Sequence, residues 1–224
     1  MRKPISIQML WAKIAPTTHP GETGHALWRT FTVGDLRVRM VEYSPGYVAD
    51  HWCERGHVLY VLEGELAHKD SMGNGSVMRP GDVQRMSAGR GVQHSEFNHA
   101  QGLTHFLQIW IQPRERGLVP SYTEWHPAAG PGDDRKVQLI SPNGRDGSAV
   151  IHQDADVYRL RLKAGESVTH ELRPGRGAWL QVAAGGAVFN GAELAAGDGA
   201  STETPGRLTF TATRPLEALL FDLK

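Results

Sequence analysis

The sequence predicts an all-β protein of two barrels in tandem. Three observations predict it. Short apolar runs have strand character, turn residues separate them about every ten residues, and one pattern of glycines recurs in both halves. Glycine accounts for 26 of 224 residues and proline for 13. A usual glycine share is ~7%, so this chain turns often.

Helix is expected only near Ser6–Ala15 and in short pieces elsewhere. The strand-like runs are Leu36–Tyr43, His57–Leu62, Thr104–Ile111, Val157–Leu162, Trp179–Val182 and Ala218–Leu223. LRVRMVEY and VYRLRL alternate apolar with charged residues, so each is expected to wet one face. The stretch Pro127–Asp134 (PAAGPGDD) is the richest in glycine and proline and reads as a linker. It divides the chain into barrels at 1–126 and 135–224.

A repeat supports that division. Gly46, His51, Gly64 and Pro80-Gly81-Asp82 recur in order as Gly165, His170, Gly185 and Ala196-Gly197-Asp198. Small drifts in offset are what loop insertions produce.

Lys+Arg and Asp+Glu are 24 each, for a formal net charge of zero and a pI near 7.2. Direct nucleic-acid binding and attraction to anionic membranes need a basic excess, so neither is expected. No apolar run approaches the ~18 residues of a membrane span. The N-terminus lacks a signal-like apolar run. Cys53 is the single cysteine, so an intrachain disulfide is excluded and a reducing compartment, the cytoplasm, is expected.

The chemistry concentrates in the first half. His51 and Cys53 are two apart and share a strand face. Glu54-Arg-Gly56 reads as a tight turn, after which His57 can face the same interior. His94 and Glu96 again share a face. Imidazole, thiolate and carboxylate are ligands of first-row transition metals, so His51, Cys53, His57, His94 and Glu96 are the candidate metal ligands. With Cys53 bound the site tilts toward Zn or Cu. Without it, three histidines and Glu96 make a pattern closer to Fe, Mn or Ni. Glu96 is also the candidate catalytic base.

The spacing Gly46-x4-His51-x-Cys53-x3-His57-x6-Gly64 resembles the first motif of the cupins. Gly81–Asn98 resembles the second, with Ser87 at its proline position. From about residue 60 to 224 the chain resembles the pirin-like bicupins. The segments YVLEGELAHKDSMGN, GDVQRMSAGRGVQHSEFN and LQIWIQP carry that resemblance, with Ile151-His-Gln-Asp154 and Leu220-Phe-Asp-Leu223. Residues 17–64 instead resemble a small single-domain cupin family with a GETG…RVRMVEYSPGY…ADHWC…GH pattern.

The resemblance implies two jelly-roll cupin barrels. It implies one divalent transition metal in the first, Fe(II) foremost, with Mn, Ni, Cu and Zn as alternatives. His94 and Glu96 carry over directly. His51 stands at the family's first ligand, Cys53 at its second histidine, and His57 at the general cupin glutamate. The implied activity is that of a quercetin 2,3-dioxygenase-like oxidoreductase acting on quercetin or another flavonol-like aromatic enol. The alternative is a non-enzymatic metal- or redox-sensing module with a protein partner or small ligand. In the second half His170 stands alone, with Leu172 and Ala178 at the positions of Cys53 and His57, so that barrel is expected to be metal-free. Trp52 is expected in packing, and Met40, Met86, Phe106 and Trp110 in the core or an apolar cavity.

Overall fold

The computed structural model describes residues 7–113, 115–126 and 134–224. Apart from Asp134, the expected linker Pro127–Asp134 lies outside the described residues. Among the described residues the regular structure is strand, with two short 3₁₀ turns. The helix expected near Ser6–Ala15 is instead a strand, Ile7–Met9, and a 3₁₀ turn, Trp11–Lys13. No helix of the described residues is long and apolar enough to cross a membrane.

Two compact units form. One contains residues 15–126 and 151–153, the other residues 7–14, 134–150 and 154–224. The unit boundaries therefore depart from a simple cut at the linker. Ile7–Met9 pairs antiparallel with Gly199–Ser201, because the second unit leaves that edge open.

In the first unit a seven-stranded antiparallel sheet faces a four-stranded one. The large sheet runs Ser121–Trp125, Val83–Ser87, His57–Glu63, Thr104–Ile111, Leu36–Tyr43, His25–Val33 and Thr17–Pro20. The small sheet runs Val48–Cys53, Val92–Phe97, Leu66–Asp70 and Gly75–Met78. Val41, Leu59, Val61 and Phe106 of the large sheet pack against Leu66 and Met78 of the small one. Each is β-branched, aromatic or long aliphatic on one face of its strand, and that shared face buries the core.

In the second unit, Gly177–Phe189 and Gly206–Leu223 are long enough to bend and serve both layers. Their mutual register shifts between Val182 and Ala187, the mark of bulges that turn the corner. Leu160, Leu180, Phe189, Phe210 and Leu220 fill this core.

The repeat has a physical basis. Gly64 and Gly185 have φ of 75° and 83°, and an added Cβ would lie 2.3 Å from the Leu103 carbonyl oxygen and 1.8 Å from that of Pro215. Only glycine permits that approach. Asp82 and Asp198 accept from the backbone N–H groups of Arg79 and Ala195 at 2.8 and 2.9 Å, closing the same turn.

His170 is held by its neighbours. Its Nδ1 accepts from Lys136 Nζ at 2.9 Å, leaving Nε2–H to donate to Asp222 Oδ2 at 2.7 Å. Arg176 also donates to Asp222 through Nε, and through Nη1 to Asp154 at 2.8 Å. Replacing Asp222 with Ala leaves the buried His170 Nε2–H without its acceptor and the buried Arg176 with Asp154 as its remaining carboxylate. A loss of about 3–5 kcal/mol is expected, read from the denaturant midpoint.

Candidate metal centre

Strand register assembles the site. Val48–Cys53 pairs antiparallel with Val92–Phe97, setting His51 opposite His94 and Cys53 opposite Val92. Alternation turns His51, Cys53, His94 and Glu96 to one face of the small sheet. His57 enters from the large sheet, where it opens its strand opposite Met86. The chain crosses between the layers at Glu54–Gly56. Gly56 has φ of 79°, and an added Cβ would lie 2.1 Å from the Met86 carbonyl oxygen.

The five candidates form two overlapping groups. His51, Cys53 and His94 offer ligand atoms within 4.8 Å of one another, and so do His57, His94 and Glu96. His94 belongs to both. His57 Nε2 lies 3.0 Å from Glu96 Oε1, and His94 Nδ1 lies 3.6 Å from the same oxygen. The His51 and His57 rings are centred 4.5 and 5.0 Å from that of His94. His57, His94 and Glu96 are buried, Cys53 is half-buried, and His51 is exposed.

Buried polar atoms normally find partners. Here His57 Nε2 and both ring nitrogens of His94 are buried without a hydrogen bond. The short His57–Glu96 approach is therefore a convergence of atoms without hydrogen-bond alignment. Donor atoms that converge and have no partner suit a cation, so the residues present fit a divalent metal. Cys53 Sγ accepts the Gly56 N–H at 3.4 Å and packs against Met86, Ala88 and Val92.

Electrostatics keep the histidines neutral. Burial, then the neighbouring His51 and His68, lower His94 to about 3. Burial and His94 hold His57 well below its ordinary value. Burial raises Glu96 to about 7, against the opposing pull of Arg39, Gln108 and Tyr43. Gln108 Nε2 donates to Glu96 Oε2 at 3.2 Å and fixes the carboxyl plane.

His68, which is not among the candidates named from the sequence, borders the site. It is buried opposite Glu96 in the register, its ring centred 5.7 Å from His94 and 4.9 Å from Tyr122. Its two-residue spacing from Asp70 was the available signal. Gln108 and Tyr43 carried none, since their partners come from another sheet.

Three expectations change. Trp52 is 56% exposed, with its indole against Gly91 and Nε1 donating to Glu54 at 3.2 Å, so it packs on the outside of the small sheet. Arg37 and Arg39 are half-buried and do not stand on an outer face. They share the strand face of Val41 and Tyr43, which is the barrel interior. Phe106 is core, whereas Trp110 lies beside both arginines, each guanidinium 5.0 Å from its ring.

Comparison with known proteins agrees with this architecture. Residues 48–111 match the family described as Pirin, and residues 138–223 match the quercetinase C-terminal cupin domain. The first match begins at residue 48, so the likeness extends further toward the N-terminus than the sequence motifs indicated. A quercetin 2,3-dioxygenase of Escherichia coli K12 is 34% identical over 223 residues, covering 90% of this chain and 95% of that protein. A pirin-like protein of Caulobacter vibrioides is 39% identical over 169 residues, 74% of this chain and 72% of that protein. Among solved structures, the bacterial pirin YhhW of Escherichia coli in complex with nickel(II) superposes with a TM-score of 0.85 at 29% identity, covering 97% of this chain and 98% of that one. The chain belongs to the pirin family of two-domain cupins.

Proposed function

We propose that the first unit is a metal-dependent dioxygenase centre acting on quercetin or another flavonol-like enol. The observation that carries this reading is the buried convergence of His57, His94 and Glu96 with unpartnered ring nitrogens. Relatives named quercetin 2,3-dioxygenase and a nickel-bound pirin support it. His51, His57, His94 and Glu96 would hold one divalent metal, with Fe(II) the foremost candidate. The metal supplies Lewis acidity toward adjacent keto and hydroxyl oxygens of an enol.

The chain's own groups do the rest. Burial keeps His57 and His94 neutral, the form that ligates. Glu96 directs Oε1 toward the two histidines, while Gln108 orients Oε2. Glu96 is the candidate base for the enol proton, as a buried carboxyl oriented by Gln108 at the same cluster.

A second reading has one observation in its favour. Cys53 lies with His51 and His94, so thiolate ligation would make the site a metal or redox sensor. Metal content by plasma mass spectrometry, followed by oxygen uptake with quercetin, separates the two. Near one metal per chain in both wild type and Cys53→Ser, with uptake retained, is expected. Loss of metal in Cys53→Ser would replace the oxygenase reading with the sensor.

A further inference from the structure

The inward face of the first unit carries two arginines, Arg37 and Arg39 of Leu36–Tyr43, and among the described residues neither is in an ion pair. Arg39 donates through Nε to Thr30 Oγ1 at 3.0 Å and lies 4.2 Å above the Trp28 ring. Arg37 lies beside Trp110, directly opposite it in the register. Burial, then the like charge of Arg37, lower Arg39 from its ordinary value, and Tyr43, Glu96 and Tyr47 offset this only in part.

These groups adjoin an entrance. Thr30, Thr32, Arg37, Cys53, Gly56 and Trp110 line a cleft of about 860 Å³. Asp35, Glu54 and Arg55 line it as well. Cys53 places the cleft next to the metal-ligand groups. A half-buried guanidinium is costly without an anion, and aromatic faces compensate only part of that cost. Arg37 has donors free in the cleft, and Arg39 stands one step deeper on the same face.

We propose that this mouth binds the carboxylate of a flat, conjugated substrate, with Arg37 receiving the carboxylate and the Trp110 indole lying against the conjugated ring. The proposal deepens the oxygenase reading and rests on it for the enol that faces the metal. It makes an acidic aromatic enol a better ligand than a neutral flavonol.

The test is a binding measurement on the metal-free full chain, read by quenching of tryptophan fluorescence. The probes are 3-hydroxy-2-naphthoate and its carboxamide, which differ in charge and little in shape. The wild type is expected to bind the carboxylate about tenfold or more tighter, the scale of one charge-assisted hydrogen bond. Arg37→Gln is expected to bring the two affinities within about twofold, and Arg37→Lys to retain part of the preference. Equal affinities in the wild type, no binding of either probe, or an unchanged preference in both Arg37→Gln and Arg39→Gln would overturn the proposal. Metal and oxygen are absent from this assay. A failed quercetin turnover therefore leaves its result standing, and a lost charge preference leaves the metal centre standing.

Discussion

A His94→Ala variant is expected to lose the metal. His94 is the residue common to both groups of converging donors, so its removal leaves neither with three ligands. Its ring is buried and both nitrogens lack hydrogen-bond partners, so the folded chain gives up little internal bonding when it goes. Metal affinity should fall by at least about 100-fold, since perturbing only the residues behind a ligand already costs about 10- to 100-fold. Competition against a chelator reads the affinity, and circular dichroism with a thermal melt confirms the fold. Oxygen uptake should disappear with the metal. An affinity equal to that of the wild type would place the metal elsewhere.

Metal affinity is expected to fall as pH drops below about 7. Binding needs the Glu96 carboxylate, and burial raises that carboxyl in the free protein to about 7. Below that pH a proton must leave before the metal enters, so affinity should weaken about tenfold per pH unit and be nearly flat above. His94, lowered to about 3, adds no competing proton across the neutral range. Glu96→Gln should bind more weakly and lose the slope. A slope of two protons near pH 6.5 would mean that the histidines, and not Glu96, control binding.

The same shifts set the stability of the metal-free chain. Glu96 rises from 4.5 to about 7, so the folded form keeps a proton that the unfolded form has lost. Its favourable contribution is present below pH 4.5 and is lost, to about 3 kcal/mol, as pH rises through 7. His94 falls from 6.5 to about 3, so its contribution is present above 6.5 and is lost as pH falls toward 3. Bound metal relieves the first of these by pairing the carboxylate, and a metal-dependent rise in melting temperature should therefore be largest at high pH.

Much of this was legible in the residues. Leu36–Tyr43 and Thr104–Ile111 form strands over the ranges that their strand-like runs indicated. The glycine order announced two related units because Gly64 and Gly185 occupy backbone conformations that other residues resist. His94 and Glu96 could be paired from their spacing, since period two forces a shared face. His51 and Cys53 could be paired for the same reason.

The same period misled where it was asked which face is inside. Arg37 and Arg39 alternate with apolar residues and read as solvent-facing, yet Leu36, Val38 and Met40 are buried on the opposite face and the arginines point into the barrel. Alternation establishes that two faces differ, and only the covering layer establishes which one is interior. The pairing of Ile7–Met9 with Gly199–Ser201 was invisible for a related reason, because an open edge is a property of the assembled sheet.

The sequence by itself therefore determined the strands, the duplication, the family motifs and the local pairs His51 with Cys53 and His94 with Glu96. Tertiary structure alone decided that His57 meets Glu96 from the opposite sheet, that His68 and Gln108 border this cluster, and that Arg37 and Arg39 lie on the inward face of their strand. The physical reason is range. Backbone period and turn chemistry act between neighbours in the chain, whereas contacts across facing sheets depend on how the layers close over one core.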